Sequence, residues 1–180
     1  MKDILEKILF NKEQLDKRIE EIAKELTEKF KNNQTPPVFV CILKGACVFF
    51  VDLIKKVGCN VAIDFMSVSS YGNGFESSGK VTIKKDVDTN LQGRDVVIVE
   101  DIVDSGYTMN DLIEIMKNKG AKSTTVVVLL DKVSRRKVQV QLDYVGFVIP
   151  DEFIVGYGLD YLDVYRNLPE VGVLKPEIYR

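Results

Sequence analysis

Four short, nearly unbroken apolar runs, separated by stretches of helical length, constrain this chain more than any other feature. Val38–Leu43 (VFVCIL), 61–66 (VAIDFM), 95–99 (DVVIV) and 124–130 (TTVVVLL) are strand-length and rich in β-branched residues. A strand that is apolar on both faces must be covered on both faces. The stretches 46–56 and 107–119 have helical length, with glycine stops expected at Gly58 and Gly120. Further strands are expected at 80–84 and 143–149. This alternation predicts an α/β fold: a mostly parallel central sheet with helices on both faces.

The flanks read differently. Asn11 and Gln14 have the spacing of a capping box, and Leu15, Ile19, Ile22, Leu26 and Phe30 then recur on one helical face. Pro36-Pro37 closes that segment. This helix and an irregular tail after Pro150 are expected to form an accessory layer, a small hood built from the terminal segments. The expectation is one domain over 1–180, with a core at about 36–149 and a hood from the N-terminal segment and about 150–180. Residues 69–79 (SSYGNGFESSG) hold four serines and three glycines and suggest a mobile lid over a reacting group.

Composition excludes several chemistries. The chain has no histidine, which removes Ser–His–Asp hydrolysis, Cys–His proteolysis and histidine-ligated zinc. Its 25 basic and 27 acidic side chains leave a net charge of −2, so no broad basic face for nucleic acid is expected. No apolar run approaches the ~20 residues that span a bilayer, and 1–10 lacks a signal-peptide core. Cys41, Cys47 and Cys59 form no C-x-x-C pair and suit buried thiols in a reducing, cytoplasmic setting.

In an open α/β sheet, ligands bind beyond the carboxyl ends of the strands. Those ends read Lys44-Gly45, then Glu100-Asp101-Ile102-Val103-Asp104-Ser105-Gly106-Tyr107-Thr108, then Asp131-Lys132. Backbone N–H groups, a glycine and two hydroxyls at a helix start make a phosphate cradle. Glu100 and Asp101 would repel a phosphate; they suit sugar hydroxyls or a divalent metal. Together these describe a site for a ribose 5-phosphate. By pattern alone, a second reading stays open: Asp104 or Ser105 caps the helix, and the acids face solvent.

The run from Val96 to Thr108 resembles the phosphoribosyl diphosphate signature of type I phosphoribosyltransferases. Leu43-Lys44-Gly45, 68–72, Leu130-Asp131-Lys132, 150–161 and 165–169 resemble the hypoxanthine-guanine branch of that family. The resemblance implies the type I fold and transfer of a 5-phosphoribosyl group to N9 of hypoxanthine or guanine. The products would be a nucleoside monophosphate, IMP or GMP, and pyrophosphate. It assigns Lys44, Gly45, Ser70, Tyr71 and Arg166 to pyrophosphate, Glu100 and Asp101 to ribose, and 104–108 to the 5-phosphate. Tyr107 departs from the family's usual lysine or aliphatic residue, at a position that offers mainly its backbone N–H.

The same resemblance implies Mg2+, held by Glu100, Asp101 and Asp160. For the purine it implies Lys132 on the 6-oxo oxygen, a stacking Phe153, the Ile154 carbonyl at position 2, and Asp160. With no histidine available, Asp104 is the candidate general base for the N7 proton. A homodimer or homotetramer is implied, with phosphoribosyl diphosphate and 6-oxopurines as ligands. Competing readings are a xanthine-preferring transferase, a nucleotide-binding regulator on the same fold, and a phospho-acceptor receiver domain. The last places the strand that ends in its paired acids near the N-terminus, whereas about 95 residues precede that strand here.

Overall fold

The computed structural model describes residues 2–69 and 81–179. A strand β1 (Leu5–Phe10) precedes helix α1 (Lys12–Phe30), and β2 (Val38–Leu43) and α2 (Cys47–Lys56) follow. Next come β3 (Ala62–Ser69), β4 (Thr82–Lys85), β5 (Asp95–Val103), α3 (Tyr107–Asn118) and β6 (Ser123–Asp131). The chain ends with β7 (Tyr144–Val148), β8 (Ile154–Val155), β9 (Val171–Leu174) and α4 (Pro176–Tyr179).

The main sheet runs β4-β3-β2-β5-β6-β7 and is parallel except for β4, which is antiparallel to β3. Side chains alternate across it, so each apolar run feeds two cores. Phe39, Cys41, Val97, Val99, Val127 and Leu129 pack under α1 and α2. Val38, Val40, Ile98, Val126 and Val128 pack on the other face, against Met109, Leu112 and Met116 of α3. The mostly parallel sheet with helices on both faces is the fold expected.

Several local expectations need correction. Helix α1 is no accessory layer: Leu15, Ile19, Ile22, Leu26 and Phe30 belong to the same core as α2 and β2. Lys29 Nζ also reaches Thr125 Oγ1 at 2.8 Å, and Arg18 donates to the Val145 and Gly146 carbonyls. The N-terminal part of the hood is instead β1, which pairs antiparallel with β9, and β9 with β8. The tail is therefore not irregular. Strands of two and four residues are too short to display a period, and partners remote in sequence define them.

Helix α2 does not stop on a glycine. Extended Val57 is its C-cap, and the Gly58 N–H donates to Thr27 Oγ1 at 2.8 Å. Helix α3 does end as expected, with Gly120 at φ +81° just past its C-cap, Lys119. Strand β5 continues past 99 to Val103, so Glu100 and Asp101 lie within the strand. Most of the lid segment, together with Ser70 and Tyr71, lies outside the described residues. Cys41 is buried, Cys47 and Cys59 are half-buried, and all three are free thiols. Among the described residues no helix is long and apolar enough to cross a membrane.

Both halves of the capping box form: the Gln14 N–H donates to Asn11 Oδ1, and the Asn11 N–H donates to Gln14 Oε1, each at 2.9 Å. Asn11→Ala removes one of these bonds and is expected to cost about 1 kcal/mol. Urea unfolding should show a lower midpoint with an unchanged slope.

Candidate active site

Parallel strands bring their carboxyl ends to one edge, and β2, β5 and β6 are adjacent, so Lys44, the 104–108 turn and Lys132 emerge together. A pocket of about 190 Å³ lies there, lined by residues 100–106 with Thr108 and Met109. A larger groove of about 620 Å³ opens near the opposite ends of β6 and β7, between α3 and residues 139–143. It lacks the strand-end carboxylate pair.

Gly45 packs directly on Asp101. A Cβ at position 45 would fall on Asp101 Oδ2, and a Cβ at Gly158 would fall on the Gly45 carbonyl oxygen. Three remote segments thus close on one another only because two of them lack side chains. The Leu43–Lys44 peptide in this contact is cis.

Burial pushes Glu100 well above the ordinary carboxylate range, and the neighbouring Asp101 charge pushes it further. Burial also raises Asp101, opposed by hydrogen bonds and by the Arg166 charge. The Asp101 N–H donates to Glu100 Oε1 at 3.1 Å, and the Ile102 N–H to Asp101 Oδ1 at 2.8 Å. Cys41 stands close to this pair. Burial pushes its thiol up to about 12, which removes it as a nucleophile near neutral pH.

Lys44 Nζ pairs with Asp163 Oδ1 at 2.9 Å. Arg166 pairs with Asp160 at 2.7 Å and Asp163 at 3.1 Å, and donates to the Gly158 carbonyl. Lys44 and Arg166 together hold Asp163 below the ordinary carboxylate range. Lys44 and Asp163 are both about two-thirds exposed, so their pair opens cheaply to an incoming anion.

The turn leading into α3 settles the helix-cap alternative. Its N-cap is Gly106 at φ +92°, with no side-chain cap bond, so neither Asp104 nor Ser105 serves as the cap. The first-turn N–H groups keep their capacity to donate to a ligand. Asp104 Oδ1 is buried and meets no donor among the described residues. Tyr107 is 42% exposed, and its side chain contributes nothing to the pocket lining.

Lys132 is buried against the same strand end. Its N–H donates to the Val103 carbonyl at 3.0 Å and its Nζ to the Glu152 carbonyl at 2.9 Å. Phe153 follows Glu152 but belongs to the hood: its ring stacks on Tyr179 at 4.8 Å and meets Tyr161 edge-on at 5.5 Å. The Ile154 side chain is buried within β8. So the structure gathers 100–106 and Thr108 around one pocket, packs Gly45 against Asp101, and sets Lys44, Asp160 and Arg166 in one ionic cluster with Asp163. Phe153 and Ile154 stand apart from that pocket, connected through Lys132. Sequence reasoning passed over Asp163 and Arg136, because charged residues in loops carry no signal that separates them from a solvated surface.

A phosphoribosyl transferase domain model matches residues 7–162. The chain belongs to that family. It is 50% identical over 179 residues to the hypoxanthine-guanine phosphoribosyltransferase of Bacillus subtilis, covering 99% of this chain and 98% of that one. It is also 49% identical to the bifunctional protein TilS/HprT of Listeria monocytogenes, of whose length it spans only 27%. The crystal structure of a hypoxanthine phosphoribosyltransferase from Staphylococcus aureus superposes with a TM-score of 0.94 at 44% identity, covering 99% of this chain and 96% of that chain. The Trypanosoma cruzi hypoxanthine phosphoribosyltransferase in a ternary substrates complex gives 0.93 at 40%, covering 99% and 100%.

The buried acid pair has a measurable signature. Its ionised form is disfavoured in the folded state, so its contribution to stability is complete below the ordinary value of 4.5 and is lost as pH rises through the raised value. Glu100→Gln removes that loss. Calorimetric melting of the ligand-free protein should show the variant gaining on the parent progressively as pH rises above 4.5. A gap that does not change with pH would mean that Glu100 ionises freely.

Proposed function

We propose that the chain transfers the 5-phosphoribosyl group of phosphoribosyl diphosphate to N9 of hypoxanthine or guanine, releasing pyrophosphate. The observation that carries this reading is the single pocket in which the Glu100–Asp101 pair adjoins an uncapped helix start. A diol and a phosphate monoester need that pair of environments side by side. Glu100 and Asp101 accept from the ribose hydroxyls, and the 104–108 turn holds the 5-phosphate. Lys44, the Gly45 backbone and Arg166 meet the departing pyrophosphate, with Ser70 and Tyr71 assigned there by resemblance.

The donor set also fits magnesium. Among the described residues no cluster of three or more acidic or thiol ligands exists, so the protein supplies at most a carboxylate or two. That suits an ion which takes one or two carboxylates and fills its shell with water and substrate phosphates. Glu100 and Asp101 would hold one ion, and Asp160, once released from Arg166, would supply the carboxylate of a second. When bound, the ions would neutralise charge on the pyrophosphate oxygens.

Asp104 takes the purine N7 proton as N9 attacks, and its unpartnered buried oxygen is suited to that task. Lys132 donates to the 6-oxo oxygen by turning from the Glu152 carbonyl and so disfavours adenine, whose 6-amino group is itself a donor. Phe153 stacks on the purine, and the Ile154 carbonyl faces position 2. Water exclusion matters, because an oxocarbenium-like sugar exposed to water hydrolyses. The three free thiols agree with a cytoplasmic setting, and a homodimer or homotetramer is the assembly proposed.

Incubation with magnesium, phosphoribosyl diphosphate and hypoxanthine should yield IMP and pyrophosphate by chromatography. No product with hypoxanthine, guanine or xanthine would defeat the reading, and preference for adenine would defeat the role of Lys132. Asp104→Asn should lower kcat by about 100-fold or more with KM for phosphoribosyl diphosphate little changed. A fully active variant would remove Asp104 as the base.

A further inference from the structure

The 104–106 turn is held from behind. Arg136 Nε donates to the Asp104 carbonyl at 3.0 Å, and the Lys137 and Val138 N–H groups donate to the Ser105 carbonyl at 2.9 and 3.1 Å. The peptides of this turn are trans, and in a trans peptide the carbonyl and the following N–H point in opposite directions. With both carbonyls turned to the 136–138 segment, the Ser105 and Gly106 N–H groups point the other way, toward the pocket. Gly106 lets that segment close in, since a Cβ there would meet the Val138 carbonyl oxygen and Arg136 Cδ.

Arg136 is itself fixed. Its Nη2 pairs with the Asp131 carboxylate at the end of β6, and the two side chains are only 19% and 12% exposed. One guanidinium therefore serves two acceptors through different nitrogens, which a lysine ammonium at the end of a flexible stem does not reproduce. We propose that Arg136 is a positioning residue, which aims the Ser105 N–H at the substrate phosphate by holding the Asp104 carbonyl on the frame of β6. This rests on reading 104–108 as the phosphate cradle. Without Arg136 the 104–105 peptide is free to rotate, turning an acceptor toward a bound anion in place of a donor. The residue touches no substrate and acts only through the loop.

Arg136→Gln leaves the Asp131 carboxylate buried without its partner and destabilises the whole strand end. Arg136→Lys keeps a charge opposite Asp131 and loses the fork, so it carries the test. The lysine variant should melt close to the parent, yet its kcat/KM for phosphoribosyl diphosphate should fall about 10–100-fold while KM for hypoxanthine stays within ~2-fold. Recovery of kcat/KM along with stability, or a parallel loss for both substrates, would reduce Arg136 to an ordinary structural ion pair.

Amide hydrogen exchange separates this idea from the reaction it serves. Even if the parent forms no product, faster exchange at 104–108 in Arg136→Lys, with α3 and β6 unchanged, supports the positioning role. Unchanged exchange at 104–108 overturns it.

Discussion

The site depends on a contact that permits no side chain. Asp101 occupies the space that a Cβ on residue 45 would take, and the Gly45 carbonyl occupies the space that a Cβ on residue 158 would take. The end of β2, the end of β5 and the loop after β8 are distant in sequence, and each carries different chemistry. Bare backbone at two of the three lets a lysine, a carboxylate pair and an arginine share one edge of the sheet. Any side chain at 45 would push Asp101 off the strand end and open the cluster that Lys44, Asp160, Asp163 and Arg166 form around it.

That closeness has an electrostatic cost which the protein does not remove by itself. Glu100 is buried and Asp101 beside it half-buried, and loss of water raises both. Arg166 eases Asp101, but its own guanidinium is shared with Asp160, Asp163 and the Gly158 carbonyl. A cation arriving with a polyphosphate would complete a balance that the ligand-free protein leaves short. A net charge of −2 says little about this, because it averages over the whole surface, whereas binding depends on charges within a few ångströms.

The legible parts of the fold were those with dense local signals. β2 and the middle stretches of β5 and β6 are buried on both faces, so Val38–Leu43, Val96–Val99 and Val126–Leu130 are unbroken apolar runs of strand length. The Asn11 capping box is similarly local. β1, β8 and β9 carried no such signal: LEKILF is one-third charged, and two-residue β8 gains its identity from β9. Gly58 looked like a helix stop because glycine often is one, but its N–H was committed to Thr27, a partner no window could include. The candidate site followed the same division. Asp104 to Thr108 form a continuous motif and stood out, whereas Arg136 sits in a run of basic loop residues and acts on backbone carbonyls that sequence does not display.

Backbone orientation explains why the site combines a rigid sheet with so few side-chain donors. A phosphate bound by N–H groups needs those groups aimed, and a peptide can be aimed from either end of its dipole. Here the carbonyl ends are fixed, by Arg136 at residue 104 and by two main-chain N–H groups at residue 105. The N–H ends are thereby turned toward the pocket before any ligand binds, so less reorganisation accompanies binding. The purine side proposed above is built on the same scaffold, since Lys132 is anchored to the Val103 carbonyl one residue before this turn. On the proposed reading, β6 sets both the donor for the base, through Lys132, and the donors for the phosphate, through Asp131 and Arg136. The separation between Lys132 and the 104–106 turn is fixed by the pairing of β5 with β6 rather than by any loop.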